Sequence, residues 1–304
     1  MNTTAAFLPL VIRGIREVYD LETSRQEKFS DYIVGKSLST TFLEEKMALF
    51  AGLGPAADLL ESGKVPYDDP QLPFTYTLRP RIKAIGMRNS VLLSQTDQTG
   101  RTRQFARMAA KSQWLADQMA AADVFNYCTD TGARWLLPDG KPFAAVDHVR
   151  YGGATGANTW SSPRSLGPNN LDDALIAIRA QKAFRDDPWV YAGQFKLITA
   201  LRWESVAFRL YQTVQVVGSG DNDKAFGRTR IAGYQCNPFI TMEGFWGLIP
   251  AEDAANPIVR LSRGENIMRS TWDPQTLDDM WVSWKCYAYG VLWHQGTWLS
   301  PLTV

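Results

Sequence analysis

One stretch limits the possible folds of this chain more than any other. Between Arg101 and Thr131, apolar or small residues recur at Phe105, Met108, Ser112, Leu115, Met119 and Ala122, in alternating steps of three and four. That is one stripe of an amphipathic helix. Arg101, Arg103, Arg107, Lys111 and Asp117 fall off the stripe and are expected to face water. Asp97 or Thr99 can cap the start, and Gly132 suits a left-handed stop. About thirty residues at ~1.5 Å each make a rod of ~45 Å, well beyond the mean helix of about a dozen residues. Such a rod is either the core helix of an α+β domain or the spine of a flat, extended subunit, and the flanking segments decide between them.

Residues 1–35 read as an arm. Two short amphipathic sets (Ile12, Ile15, Val18, Tyr19; then Phe29, Tyr32, Ile33) flank a polar run, and neither buries enough to stand alone. Residues 41–61 carry a helical pattern, Phe42, Met47, Leu49, Phe50 and Leu53, broken by Gly52, Gly54 and Pro55. Then Phe74, Tyr76 and Leu78 alternate with Thr75, Thr77 and Arg79, a strand pattern, and Ile82–Leu93 is expected to return beside it as a two-stranded ribbon. No acid lies between Asp69 and Asp97, while Arg79, Arg81, Lys83 and Arg88 are basic. A ribbon of that charge is poorly stable alone. It is expected either to lie on acidic groups of a neighbour, with Glu44, Glu45, Asp172 and Asp173 as candidates, or to be a solvated edge hairpin guarded by its charges.

Beyond the rod, residues 171–184 read as a helix with Asp172 and Asp173 in its first turn. Phe195–Ala200 reads as a strand and Trp203–Val217 as a helix with Val206, Ala207, Leu210 and Val214 on one face. Strands are expected at Arg230–Gln235, Ile240–Met242, Phe245–Ile249, Ile258–Leu261, Met280–Ala288 and Gly290–Trp298. In the penultimate one, Trp281, Ser283 and Lys285 share a face.

Several function classes find no support. The 32 basic and 31 acidic side chains nearly balance, where a protein specific for nucleic acid shows a basic excess. Cys128, Cys236 and Cys286 make no C-x-x-C pair, so neither zinc nor a disulfide framework is signalled. Ala5–Ile12 is too short to span a bilayer. The run Gly152–Asn158 lacks the lysine and helix of a phosphate loop. The two histidines, His148 and His294, have no convergent nucleophile; Asp147 adjoins His148 but points to the other face if both lie on a strand. Catalytic residues, metal ligands and cofactors are therefore expected to be none.

The order of elements points further. Arm, basic ribbon, long helix, a compact α/β region and returning strands is the order of tailed-bacteriophage major capsid proteins of the Hong Kong 97-type fold. Asp139-Gly140-Lys141-Pro142-Phe143, followed by Asp147-His148 and a Gly-rich stretch ending at Asn158, resembles a passage of the Mu-like branch of that family. Leu166–Leu175 and Trp246-Gly247-Leu248-Ile249 resemble two more of its segments. Val149 departs from the family's usual proline, and an amino-terminal scaffolding region is not evident.

The resemblance implies an α+β fold with an N-terminal arm (1–63), an extended E-loop (64–97), a peripheral domain with the spine helix (98–165 and 266–304) and an axial domain (166–265). It implies a non-enzymatic head subunit that forms hexamers and pentamers of an icosahedral shell around double-stranded DNA. Portal, scaffold and possible decoration proteins would be partners, the packaged DNA would be contacted non-specifically, and no membrane is involved. Location would be the virion capsid after synthesis in host cytoplasm. Some relatives crosslink a lysine to an asparagine; Lys83 and Asn89 lie in the corresponding region. An encapsulin-like compartment and a soluble enzyme with a loop-borne site remain the alternatives.

Overall fold

The computed structural model describes residues 16–49, 74–90, 100–150, 152–212, 229–265, 269–273 and 278–302. Its organising strand is the longest one, β12 (Asp278–Val291). Along one edge β12 pairs antiparallel with β10 (Ile258–Glu265) and then with β11 (Arg269–Asp273); along the other it pairs with β4 (Arg81–Ser90) over ten residues, from Asp278↔Ser90 to Tyr287↔Arg81. β1 (Lys36–Ser39) adds a parallel edge to β10. A bulge at Ser262/Gly264, where Gly264 takes φ 150°, bends β10.

The rod is present as a helix, Arg101–Asn126, 26 residues long. It is numbered α3, after α1 (residues 16–25) and α2 (Phe29–Ile33). Its N-cap is Gly100 at φ 67°, and it ends before Gly132; Asp97 and Thr99 lie outside the described residues. The apolar stripe read from the sequence faces outward. Met108, Leu115 and Met119 are 58, 40 and 52% exposed, whereas Ala106, Ala109, Ala110, Gln113, Asp117, Gln118, Ala121 and Ala122 are buried. Of the expected stripe only Ala122 is fully inside. Size decides the matter. An alanine face brings the helix axis close to the sheet, so that Ala106, Ala109 and Ala110 pack on Trp281, Ile85, Met87 and Tyr19. The amide of Gln113 then donates to Lys83 O (3.2 Å) and Ser283 O (3.0 Å), tying the helix to two neighbouring strands. Trp281 and Ser283 do share the helix-facing side of β12, as expected: Tyr19 and Ser283 exchange a 3.0 Å hydroxyl bond there.

The ribbon is built one strand earlier than the sequence suggested. β3 (Phe74–Leu78) pairs antiparallel with β2 (Glu45–Leu49), register Glu45↔Leu78 to Leu49↔Phe74, and not with β4. The helical reading of 41–61 therefore fails at 45–49, and 50–61 lie outside the described residues. Arg79 and Pro80 hand the chain from this two-stranded ribbon into the main sheet; proline has no N–H to give to a continuing ladder. β4 finds a partner in the centre of a sheet, which satisfies more backbone groups than a return along β3 would.

β5 (His148–Val149) and β6 (Thr155–Gly156) pair in a small antiparallel sheet of their own, and a second large sheet has the order β13-β9-β7-β8, from Trp298–Ser300, Trp246–Pro250, Phe195–Ala200 and Ile231–Asn237. β7 runs parallel to β8 and antiparallel to β9. α4 (Pro168–Arg179) lays Leu171, Ala174, Leu175 and Ile178 on this sheet. With Pro168 opening the helix, Asp172 and Asp173 fall beyond its first turn, and no acid occupies that turn. α5 (Glu204–Gln212) adds Ala207, Val206 and Leu210; Val214 is outside the described residues. Ile240–Met242 is not a strand. It is a loop held to the end of α3, where Asn126 donates to Phe239 O (3.1 Å) and accepts from Thr241 N–H (2.8 Å). The expected last strand, Gly290–Trp298, is divided between the end of β12 and β13. The C-terminal part of α3 shares its core with both sheets through Phe125, Phe245, Ile198 and Tyr289. Thus β10 belongs to the main sheet and β13, from the chain's end, to the second. Among the described residues no helix is long and apolar enough to cross a membrane.

Candidate functional site

The eight residues expected at a subunit contact do not form one cluster. Arg79 Nε sits 2.9 Å from Glu44 Oε2 at the ribbon base, so these two pair within the chain, with 74% and 38% of their side chains exposed. Glu45 accepts from Thr40 Oγ1 at 2.7 Å. Asp173 pairs with Arg164 at 2.9 Å, and Asp172 precedes it on α4. Arg81 and Lys83 lie on β4 with side chains in a groove between the ribbon, the end of α3 and the 133–140 turn. Arg88 follows them on the same strand, on the alternate side.

That groove has a volume of about 860 Å³. Besides Arg79, Arg81 and Lys83 it presents Lys46 and Arg134, with Glu44 the sole acid of its lining. Burial and the nearby Arg81 both lower the Arg134 pKa from its ordinary value, and Asp123 partly compensates. The sequence reading missed Lys46 because its segment was read as a helix, and Arg134 because it falls just past the helix stop at Gly132, in a stretch given no element.

The two histidines, 146 positions apart in sequence, meet. Their rings stack with centroids 3.9 Å apart and planes within 3°. The partner of His148 is Asp139, whose Oδ2 lies 2.8 Å from Nδ1 in a pair with no side-chain exposure. Asp147 turns to Lys141 instead, and that bond holds its carboxyl below the usual range. On the other side of the ring, Nε2 lies 3.2 Å from Asn158 Oδ1 and 3.3 Å from Phe143 O. The Asn158 oxygen is identified by Ala145 N–H, which donates to it at 3.1 Å. Its amide nitrogen donates to Phe143 O and to Thr297 Oγ1. Both nitrogens of His148 therefore face acceptors. His294 is also buried; desolvation, then the charges of His148 and Arg150, push its pKa well below the usual histidine value.

Asp139, His148 and His294 bring one ligand atom each within 4.8 Å of one another, a spacing that admits a metal ion. The arrangement does not suit one. In-plane lone pairs of two parallel rings cannot converge on a common ion, and both nitrogens of His148 are already engaged. The cluster is a structural lock that fastens the 139–158 loops to the 294–297 segment, and it contains the very residues that carry the sequence resemblance.

A second buried polar set was not legible in the sequence. Asp117, expected in water, accepts from Tyr289 OH at 2.9 Å and lies 3.4 Å from Arg260 Nη2. Desolvation raises its pKa, against the pull of Arg260 and Tyr289. The set joins α3 to β10 and β12.

No protein-family profile matches the chain, and no curated protein matches it in sequence. Solved structures do. A virus-like particle from Pyrococcus furiosus aligns with TM-score 0.56 at 9% identity, covering 95% of this chain and 98% of that one. The procapsid of bacteriophage JBD30 aligns at 0.54 and 10% identity, covering 99% and 77%. The capsid of the native GTA particle aligns at 0.56 and 13%, covering 90% of both. At such identities the likeness is one of fold, and the fold is the α+β capsid fold of Hong Kong 97 type.

Proposed function

We propose that the chain is a major capsid subunit that assembles into hexamers and pentamers of an icosahedral phage head enclosing double-stranded DNA. The observation that carries this reading is a fold match extending over nine-tenths or more of the chain to three shell-forming proteins. Nothing in the fold favours the encapsulin-like compartment over the phage head.

In this reading residues 1–35 serve as the arm. The extended loop comprises the ribbon from Glu45 to Leu78 with β4 as its inner continuation, a layout that shifts the expected 64–97 segment towards the N-terminus. The peripheral part is α3 with the main sheet, and the axial part is the second sheet with α4 and α5. Arg81 and Lys83 are contact cations; Arg79, Arg88, Glu44, Glu45, Asp172 and Asp173 already hold interactions within the chain and would contribute by exchange. Portal, scaffold and decoration proteins and non-specifically held DNA are the remaining partners, and the virion is the place of work. The role is mechanical and needs no active site.

Expression of the full chain followed by sedimentation and electron microscopy tests the reading. Closed shells, or hexamers and pentamers that close when scaffold is supplied, are expected. A single compact monomer at high concentration, with or without scaffold, would overturn it.

A further inference from the structure

A second cavity, about 310 Å³, is lined by β6, the end of α4 and His294. Its polar groups have incomplete hydrogen bonds. Arg150, 9% exposed, gives Nη1 to Asp186 Oδ1 at 2.6 Å and Nη2 to Thr155 O, while its buried Nε–H has no partner. His294, 2% exposed, has no partner at Nδ1, which assigns the proton of the neutral ring to Nε2. Both donors border the space in front of Gly156, where a Cβ would lie 3.5 Å from Arg150 Nε and 3.7 Å from His294 Nε2. The glycine thus leaves room for an acceptor that the chain itself does not supply, and a buried donor without one is destabilising. We infer that this cavity binds a small carboxylate with a short apolar tail, its oxygens received by Arg150 Nε and His294 Nε2.

Charge selects a monoanion. Arg150 and Lys182 face Asp186, which leaves about one positive charge at neutral pH. Lys182 is exposed on the cavity wall and has no ion pair among the described residues. His294, its pKa held down by burial and by the charges of His148 and Arg150, adds a dipole and no charge. Asp186 takes φ 66°, a left-handed backbone uncommon outside glycine, in a turn closed by Asp186 N–H to Ala183 O and Ala183 N–H to Asp187 O. Its carboxylate is thereby fixed on Nη1 and orients the guanidinium without reaching Nε. Gln181 is engaged with Ala157 O, Thr297 O and Gly296 N–H, so it competes for no ligand. The remaining walls, Ala157, Ala177, Ala180 and Trp298, are small or apolar and suit a tail of a few methylene groups. The volume stands at the lower end of ligand sites, about 300–1,000 Å³. A dianion such as phosphate would bring excess charge and leave the alanine walls unused. The inference concerns the unassembled subunit and is independent of the shell reading.

The test titrates the full-length subunit with sodium butyrate at pH 7, against sodium chloride at equal ionic strength, and reads thermal melting and saturation-transfer NMR of the butyrate methyl. A saturable rise in melting temperature is expected, with transfer to the methyl group. Butyramide, which keeps the tail and loses the charge, should bind about tenfold more weakly or worse, and inorganic phosphate should give no saturable rise. Gly156→Ala is the blocking variant: its added methyl meets neighbours only at ordinary contact distances, so it should melt with the parent in chloride and lose the butyrate response. Lys182→Met, at an exposed position, should keep the fold and weaken butyrate severalfold. If the parent shows no saturable response, the cavity holds water only and the proposal falls. Equal binding of butyramide, a phosphate response in place of the butyrate one, or a full butyrate response in Gly156→Ala would also overturn it. Should Gly156→Ala fail to fold, an unchanged butyrate affinity in Lys182→Met refutes the charge assignment by itself.

Discussion

Asp139→Ala removes the acceptor of His148 Nδ1–H and of Val149 N–H, which lie 2.8 and 3.2 Å from its Oδ2. Neither group gains water, because the His148 ring and the Asp139 carboxylate have no exposed surface. Breaking a buried pair built on a carboxylate costs about 3–5 kcal/mol. His148→Ala strands the carboxylate in the same way and also frees Asn158 Oδ1 and Phe143 O. If the two acted independently the double variant would lose about 6–10 kcal/mol. Because each single loss is largely the penalty of the group left behind, the double variant is expected to lose little more than either single one. The assay is thermal unfolding of unassembled full-length subunit, read by tryptophan fluorescence. At roughly 2 °C per kcal/mol for a chain of this size, each single variant should melt about 6–10 °C low. A double variant whose loss equals the sum of the singles, or an Asp139→Ala protein melting with the parent, would refute the lock.

Burial assignments on α3 predict an asymmetry: Ala110→Leu, in a side chain 1% exposed, should cost about 1–3 kcal/mol by overpacking. Met108→Ser on the outer face should change subunit melting by less than about 0.5 kcal/mol. His294 gives a pH dependence. Its folded pKa lies below the unfolded value, so its stabilising contribution is complete above pH ~6.5 and declines as pH falls from there towards the folded pKa. His294→Phe, which keeps a ring on His148, should flatten that slope between pH 7.5 and 5.5 as followed by melting; an unchanged slope would assign it elsewhere. Gly290→Val should displace the ribbon, since even a Cβ there would sit 2.6 Å from Tyr76 Oη and 3.0 Å from Leu78. Assembly measured by sedimentation should fall while circular dichroism stays that of the parent, and normal assembly would show that the ribbon's seating does not matter.

Elements with a single reading were legible. α4, β7, β9 and the centre of β12 bury one face or two against one partner, so their periodicity points at that partner. The spine helix was legible as a helix and illegible as to face. Periodicity measures where hydrophobicity is greatest, and on α3 that is the Phe105–Met119 stripe. Burial there follows size and hydrogen bonding, with three alanines approaching the sheet and Gln113, Asp117 and Gln118 each bonded to groups distant in sequence. The Asp139–His148–His294 lock was invisible for a related reason. Asp147 is the neighbour of His148 in the chain, but Asp139 is its neighbour in space, and only the fold of the 139–149 loop distinguishes them.

The ribbon shows the same limit acting on pairing. A strand pattern fixes which face a residue takes, and says nothing of which strand lies alongside. Two alternating segments separated by Arg79-Pro80 invite a hairpin, yet the register of β4 with β12 extends over ten residues where a return along β3 offers five. The longer ladder wins, and β3 is left to β2. That exchange is what makes the element useful. With β4 anchored in the main sheet beneath α3, the β2–β3 pair is held along its length, by Leu78, Tyr76 and Met47 against Val259 and Leu261 and by Phe74 against Trp293.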